Sequence, residues 1–163
     1  MHTLVLMGKE DYREHMSWLV SDTSKNHSKS CYISFNDPYH IIIQLLDEAN
    51  AHHNFIVVDA TTTIREVQSI DSKTYVLPID SLFDVYLFLK NLIVDESISM
   101  LLVDSVSTLI EKHNQLPLKD MLTNLLLEVG ALRCSTSLVA FKEHAGHEVI
   151  QHLNPLIARN MIL

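Results

Sequence analysis

The chain has 163 residues, of which 47% are hydrophobic and 20% charged, and this is the composition of one globular domain, residues 1–163, that can bury a core. The formal net charge is −8 and the basic residues are scattered singly, which argues against nucleic-acid binding because phosphate backbones require clustered Lys and Arg. No apolar run approaches the roughly 18 residues of a membrane span and the first residues lack the features of a secretory signal, so we expect a cytoplasmic protein without a membrane partner.

Short apolar runs alternate with longer amphipathic stretches, the pattern of a mostly parallel sheet with crossover helices. Several runs are apolar at consecutive positions, as strands covered on both faces are. The segment from Ala60 to Lys73 has weak periodicity, and we expect it to be a long connection at the carboxyl edge of the sheet. The predicted strands are Thr3–Met7, Ser30–Phe35, Phe55–Asp59, Thr74–Leu77, Ser99–Asp104, Ser135–Phe141 and Asn160–Leu163.

Two amphipathic helices are predicted in the first third of the chain. The second begins at Asn36-Asp37-Pro38, where a capping side chain precedes a proline in the first turn, and it runs towards Ala51. The apolar face of the first, at helical spacing, consists of Tyr12, Met16, Leu19 and Val20.

Two further helices are predicted in the second half. The third spans roughly Ser81 to Asp95 with Asp80 as its cap, and it is apolar nearly all round, which indicates deep burial or contact with a partner. The fourth starts near Pro117 and repeats apolar residues at spacings of three and four. That stripe indicates either a helix–helix contact in the core or a self-association face, and Leu127 is left over on another face.

The segment 99–108 joins an apolar run to an acidic residue and a hydroxyl cluster. A buried parallel strand that brings a carboxylate to a nucleotide site has this pattern, as the Walker B strand of a P-loop ATPase does. Asp104 is the carboxylate, and Ser105 and Thr108 belong to the hydroxyl cluster. The alternative is structural: Asp104 caps the turn after its strand, and Ser105 and Ser107 bond the local backbone.

The glycine-rich loop that would hold phosphates is absent. A P-loop requires Gly-x-x-x-x-Gly-Lys-Ser/Thr, and the spacing of Gly8, Gly130 and Gly146 excludes it. The first strand leads directly into Gly8-Lys9-Glu10-Asp11, so carboxylates lie at the helix N-terminus where an anion would bind. These carboxylates repel ATP, and Lys9 alone cannot compensate.

Three segments resemble the RecA/KaiC-like ATPase superfamily, and in particular its small archaeal, RadA-related members that lack a Walker A loop. Lys29–Asp37 resembles the second core strand, Phe55–Thr61 the next strand, and Leu101–Leu109 the Walker B strand. The resemblance covers nearly the whole chain and implies an α/β three-layer sandwich, with a mostly parallel RecA-like sheet of about six or seven strands and helices on both faces. It places Asn36 where active relatives have a catalytic Glu pair, and asparagine cannot act as a general base.

The resemblance therefore implies a degenerate RecA/KaiC-like domain that is not an enzyme and has no catalytic residue, cofactor or metal site. Such a domain would act as a regulatory or scaffolding protein through protein contacts. Because the superfamily assembles into rings and filaments, the implied partner is another copy of the chain or a paralogous RecA/KaiC-like ATPase.

Two alternatives stay open. One is a sensor that binds ATP, another nucleotide or a small ligand at the carboxyl edge of the sheet without hydrolysing it. The other is a weak ATPase whose missing parts come from a neighbouring subunit. The candidate binding residues for the sensor are Lys9, Asp59, Thr61, Asp104, Ser105 and Thr108.

Overall fold

The computed structural model of the chain describes residues 1–163 and contains eight strands and six α-helices. The strands are β1 (His2–Met7), β2 (Ser30–Ser34), β3 (Phe55–Asp59), β4 (Gln68–Asp71), β5 (Thr74–Val76), β6 (Met100–Asp104), β7 (Ser135–Phe141) and β8 (Arg159–Ile162). The helices are α1 (Tyr12–Asn26), α2 (Tyr39–Glu48), α3 (Leu82–Asp95), α4 (Val106–Lys112), α5 (Gln115–Ala131) and α6 (Glu148–Leu153). None of the helices combines the length and apolar character that a membrane span requires.

All strands belong to one sheet, in the order β4-β5-β3-β2-β6-β7-β1-β8. Every neighbouring pair is parallel except β4 and β5. Helices α1 and α2 cover one face over a core cluster of 14 buried residues, and α3 to α6 cover the other over a cluster of 30. The chain is therefore the predicted three-layer α/β sandwich.

The central strands are apolar at consecutive positions because both faces are buried. In β6, Leu101 and Val103 enter the larger core cluster, and Leu102, which points the opposite way, enters the smaller one. Successive side chains of a strand alternate between faces, so in a strand between two helical layers every side chain faces a core. The seven predicted strands are all present, with ends that differ by at most one residue.

The prediction of a connection from Ala60 to Lys73 is wrong in its last part. Residues Gln68–Asp71 form β4, which pairs antiparallel with β5 across a tight turn. All four residues of β4 are exposed, so the strand carries no alternation of buried and exposed positions that the sequence could reveal.

Two short helices, α4 and α6, were not predicted because seven and six residues are too few to display a helical period. Helix α5 begins at Gln115, two residues before the expected Pro117. Its apolar stripe is buried in the core, and Leu127 lies outside it, 54% exposed. Helix α3 is not buried all round, since Phe83 is 64% exposed.

The predicted caps of α2 and α3 are both wrong. Ser81, not Asp80, caps α3: its Oγ accepts a hydrogen bond from the Asp84 amide at 3.2 Å. Neither residue before Pro38 caps α2; Asp59 supplies the acceptor, and its Oδ2 lies 2.8 Å from the Tyr39 amide nitrogen. A cap contributed by a distant strand leaves no mark beside the helix in the sequence.

The α3 cap gives a prediction with an adjacent control. Ser81→Ala removes the acceptor of the Asp84 amide and should lower the free energy of unfolding by about 1 kcal/mol. Asp80→Ala removes an exposed side chain that makes no capping bond and should change it by less than about 0.5 kcal/mol. Urea denaturation followed by circular dichroism measures both; an equal loss in the two variants would contradict the assignment of Ser81.

Candidate functional site

Two acidic residues end strands at the carboxyl edge of the sheet. Asp59 ends β3 and Asp104 ends β6, and β2 lies between these strands. Both residues are in register with Ser34, the last residue of β2. Because neighbouring strands lie about 4.8 Å apart, the two Cα atoms are about 10 Å apart. The backbone brings Asp59 and Asp104 to one edge, as expected, but their side chains bind different partners.

The Asp104 carboxylate is fully buried and accepts two phenolic hydrogen bonds. Its Oδ2 accepts one from the Tyr32 hydroxyl of β2, at 2.5 Å, and one from the hydroxyl of Tyr12, the first residue of α1. Its Oδ1 has no hydrogen-bond partner. Burial raises the pKa of Asp104 to about 6, against the opposing effect of the two hydroxyl donors.

The alternative in which Asp104 caps the turn after its strand is wrong, because its partners are 92 and 72 residues away in sequence. Burial and the Asp104 carboxylate both raise the pKa of Tyr12 and of Tyr32, so both phenols stay protonated and donate. The Phe141 ring packs edge-on against Tyr12, with centroids 5.7 Å apart. Aromatic side chains from α1, β2 and β7 therefore surround the place where a ligand would meet Asp104.

The hydroxyls after Asp104 are occupied by bonds within the chain. Ser105 caps α4, and its Oγ lies 3.1 Å from the Thr108 amide and 2.9 Å from the Thr108 hydroxyl. The Thr108 hydroxyl also donates to Asn36 Oδ1 at 3.2 Å. The expected local bond holds for Ser105, whereas Ser107 accepts from the Phe141 amide of β7 at 2.8 Å.

Both carboxylate oxygens of Asp59 also accept hydrogen bonds from groups of the chain itself. Its Oδ1 accepts bonds from the Thr61 amide, at 2.8 Å, and the Thr61 hydroxyl, at 2.7 Å. Its Oδ2 caps α2 through the Tyr39 amide. Both oxygens thus order the chain after β3 and the start of α2, which is a structural role for Asp59 and Thr61.

Lys9 is engaged away from Asp104. Its Nζ lies 2.5 Å from Glu143 Oε1 and 5.2 Å from the centroid of the Phe141 ring. The hydrogen bond to Glu143 raises the pKa of Lys9. The single cation that the sequence offered to a phosphate therefore has a carboxylate partner.

Three side chains with metal-binding atoms lie near Lys9. The ligand atoms of Glu111, Glu143 and His144 are within 4.8 Å of one another. Both glutamates are exposed, and Glu143 already binds Lys9. The group lies outside the predicted site residues.

Sequence reasoning missed Tyr12 and Tyr32 as members of this site. Tyr12 was assigned only to the apolar face of α1, and Tyr32 only to a buried strand. The available signal was chemical: a tyrosine inside an apolar strand must find a partner for its hydroxyl. The distant Asp104 supplies it for both.

Comparison with known proteins supports the fold and nothing finer. No family model and no curated protein matches the sequence. The structure is similar to the crystal structure of a KaiC-like protein from the hyperthermophilic archaeon Pyrococcus horikoshii OT3, with a TM-score of 0.60 and 7% sequence identity. The match covers 86% of this chain and 60% of that chain. The fold is therefore similar to that of this KaiC-like protein, consistent with a RecA-like three-layer sandwich, and at this identity the likeness shows the fold alone.

The residues present do not fit the magnesium-bound nucleotide that this fold implies. Magnesium would need an accessible oxygen of Asp104, and that carboxylate is buried under Tyr12 and bonded to two phenols. Phosphates would need converging backbone amides and a free lysine, whereas Lys9 is paired with Glu143.

Removing the Tyr12 hydroxyl tests the phenol–carboxylate contact. Tyr12→Phe leaves the buried Asp104 with one donor and should lower the free energy of unfolding at pH 7 by about 1–3 kcal/mol. Tyr39→Phe is the control, because Tyr39 is also the first residue of a helix and its bond to Asp59 is made by the backbone amide, not by the hydroxyl. Urea denaturation measures both; a Tyr12→Phe variant as stable as the control would contradict the contact.

The raised pKa of Asp104 predicts a pH dependence of stability. The pKa is about 6 in the folded protein and 3.8 as the ordinary value, so the folded state holds the proton more tightly. Protonation of Asp104 therefore stabilises the folded state. This contribution is fully present below pH 3.8 and is lost as the pH rises through 6, which lowers the free energy of unfolding by about 1–3 kcal/mol.

The measurement is the free energy of unfolding between pH 4.5 and 7.5 for wild type and Asp104→Asn, which cannot titrate. The difference between the two proteins isolates Asp104 from the histidines, which titrate in the same range. We expect wild type to gain stability relative to the variant as the pH falls. Parallel curves would show that Asp104 keeps an ordinary pKa.

Proposed function

We propose that the chain is a non-catalytic RecA/KaiC-like domain that acts as a regulatory or scaffolding protein through protein contacts, with another copy of itself or a paralogous RecA/KaiC-like ATPase as partner. The observation that carries this proposal is the covered Asp104 carboxylate. Where an ATPase of this fold needs an exposed acid, this chain has an acid bonded to Tyr12 and Tyr32.

The loop after β1 supports the same proposal. Only four residues, from Gly8 to Asp11, separate β1 from α1, so no phosphate-binding loop can form between them. Glu10 and Asp11 are exposed there, and negative side chains at a helix N-terminus compete with an anionic ligand for its positive end. Hydrolysis would also lack a general base at Asn36, whose Oδ1 accepts the Thr108 hydroxyl.

The sensor alternative requires a ligand to displace bonds within the chain. Asp59, Thr61, Ser105 and Thr108 each bond another protein group, so binding at this edge would first break those contacts. A weak ATPase completed by a second subunit faces the same covered Asp104.

Protein contacts are favoured by what the fold leaves open. Strand β8 pairs only with β1, so one row of its backbone donors and acceptors is available to another chain. Ile162 on this edge strand is 70% exposed, and Leu116 at the start of α5 is also 70% exposed.

Calorimetric titration with Mg-ATP tests the proposal. We expect no saturable heat up to millimolar nucleotide and no release of phosphate on incubation. Saturable micromolar binding would overturn the proposal of a regulatory or scaffolding protein that acts through protein contacts. The variant Asp104→Asn would then separate the two alternatives. If wild type binds Mg-ATP without hydrolysing it and Asp104→Asn does not bind it, the sensor is favoured. If wild type hydrolyses ATP and Asp104→Asn does not, the ATPase is favoured.

A further inference from the structure

Helices α3 and α5 leave an open groove between them on the outer face of the larger core cluster. We call this the α3–α5 groove, and its cavity has a volume of about 210 Å³. Small-molecule sites usually hold more than about 300 Å³, so the groove is sized for one large side chain. It is lined by Phe83 and Tyr86 of α3 and by Pro117, Asp120 and Met121 of α5.

The α3 wall of the groove is aromatic and accessible. Phe83 is 64% exposed, and its ring centroid lies 6.2 Å from that of Tyr86, with the two planes tilted by 39°. Aromatic rings with open faces attract flat cations, and an arginine guanidinium is the cation that stacks on them best. A large exposed aromatic side chain beside a concave surface is also typical of a protein contact.

The α3–α5 groove is negative because Asp120 is the one charged residue that lines it. Lys90 of α3 binds Glu128 at 3.2 Å and Lys119 of α5 binds Glu148 at 3.1 Å, and neither lysine lines the cavity. Asp120, which lines the cavity, makes no salt bridge and no side-chain hydrogen bond. The free charge beside the aromatic wall is therefore a carboxylate.

We infer that the α3–α5 groove is a docking site for a partner protein segment that inserts an arginine side chain. The guanidinium would stack on Phe83 and Tyr86 and donate to the Asp120 carboxylate, while apolar neighbours of the arginine contact Pro117. This inference rests on the proposed function, since it assigns a contact chemistry to a domain that works through protein contacts. Charge complementarity selects the occupant: a neutral or acidic segment would leave Asp120 unpaired or repelled.

The experiment uses the full chain labelled with ¹³C at its methionine methyl groups. Met121 lines the α3–α5 groove, and its methyl signal is assigned from Met121→Leu. The other five methionines serve as internal references. The probe is a synthetic Leu-Ala-Arg-Leu-Ala peptide with blocked ends, compared with the same peptide carrying citrulline, which keeps the shape of arginine without its charge.

We expect the arginine peptide to shift the Met121 signal saturably. The dissociation constant of the citrulline peptide should be about tenfold higher, because that peptide lacks one charged contact. Phe83→Ser and Asp120→Asn should each weaken binding by a similar factor. Leu127→Ser is the matched control, because Leu127 is 54% exposed on α5 but does not line the groove. All three side chains are exposed, and circular dichroism verifies that the variants fold.

Equal binding of the two peptides, no shift at Met121, or an equal effect of Leu127→Ser would overturn the inference. A Met121 signal that moves with protein concentration alone would also overturn it, because a second copy would then occupy the groove. Failure of this inference is distinguishable from failure of the proposed function. If neither Mg-ATP nor the peptide binds, the inference fails and the proposed function stands. If Mg-ATP binds, the proposed function fails whether or not the peptide binds.

Discussion

The contact on which the carboxyl edge of this protein depends is a buried carboxylate held by two phenols. Asp104 ends the central strand β6 at a point that water does not reach, and a charge there is tolerated only when donors stabilise it. Tyr32 reaches it from the adjacent strand and Tyr12 from the start of α1. Helix α1 follows β1, and β7 separates β1 from β6 in the sheet. The Tyr12 bond therefore connects α1 to a strand that does not pair with β1.

The remaining polar groups of this edge follow the same pattern. Asp59 caps α2, Ser105 caps α4, and Thr108 joins α4 to Asn36. Each of these polar residues stabilises a helix start or a loop of this chain. The likeness to a KaiC-like crystal structure at 7% identity is thus a likeness of architecture, because layers and strand order depend on apolar pattern while a site depends on individual side chains.

The surfaces outside this edge carry the features that protein partners recognise. The α3–α5 groove combines an aromatic wall with an unpaired carboxylate, and β8 leaves one backbone edge open. These two features lie on different parts of the molecule, one on a helical layer and one at the rim of the sheet. The two surfaces are therefore separate from each other and from the carboxyl edge of the sheet.

The sequence by itself determined the layers. Consecutive apolar residues, as in β6, predict a strand buried on both faces, and all seven predicted strands are present, because burial is recorded locally in residue type. It also excluded the phosphate-binding loop, since that motif is a local pattern whose two glycines this chain does not have at the required spacing. Only the tertiary structure decided what Asp104 does. Its partners Tyr12 and Tyr32 are 92 and 72 residues away, and a hydrogen bond formed by sheet register and helix placement leaves no periodic signal in the chain. The same reason explains why Asp59, and not a residue beside Pro38, caps α2, and why the exposed strand β4 appeared only when β5 gave it a partner.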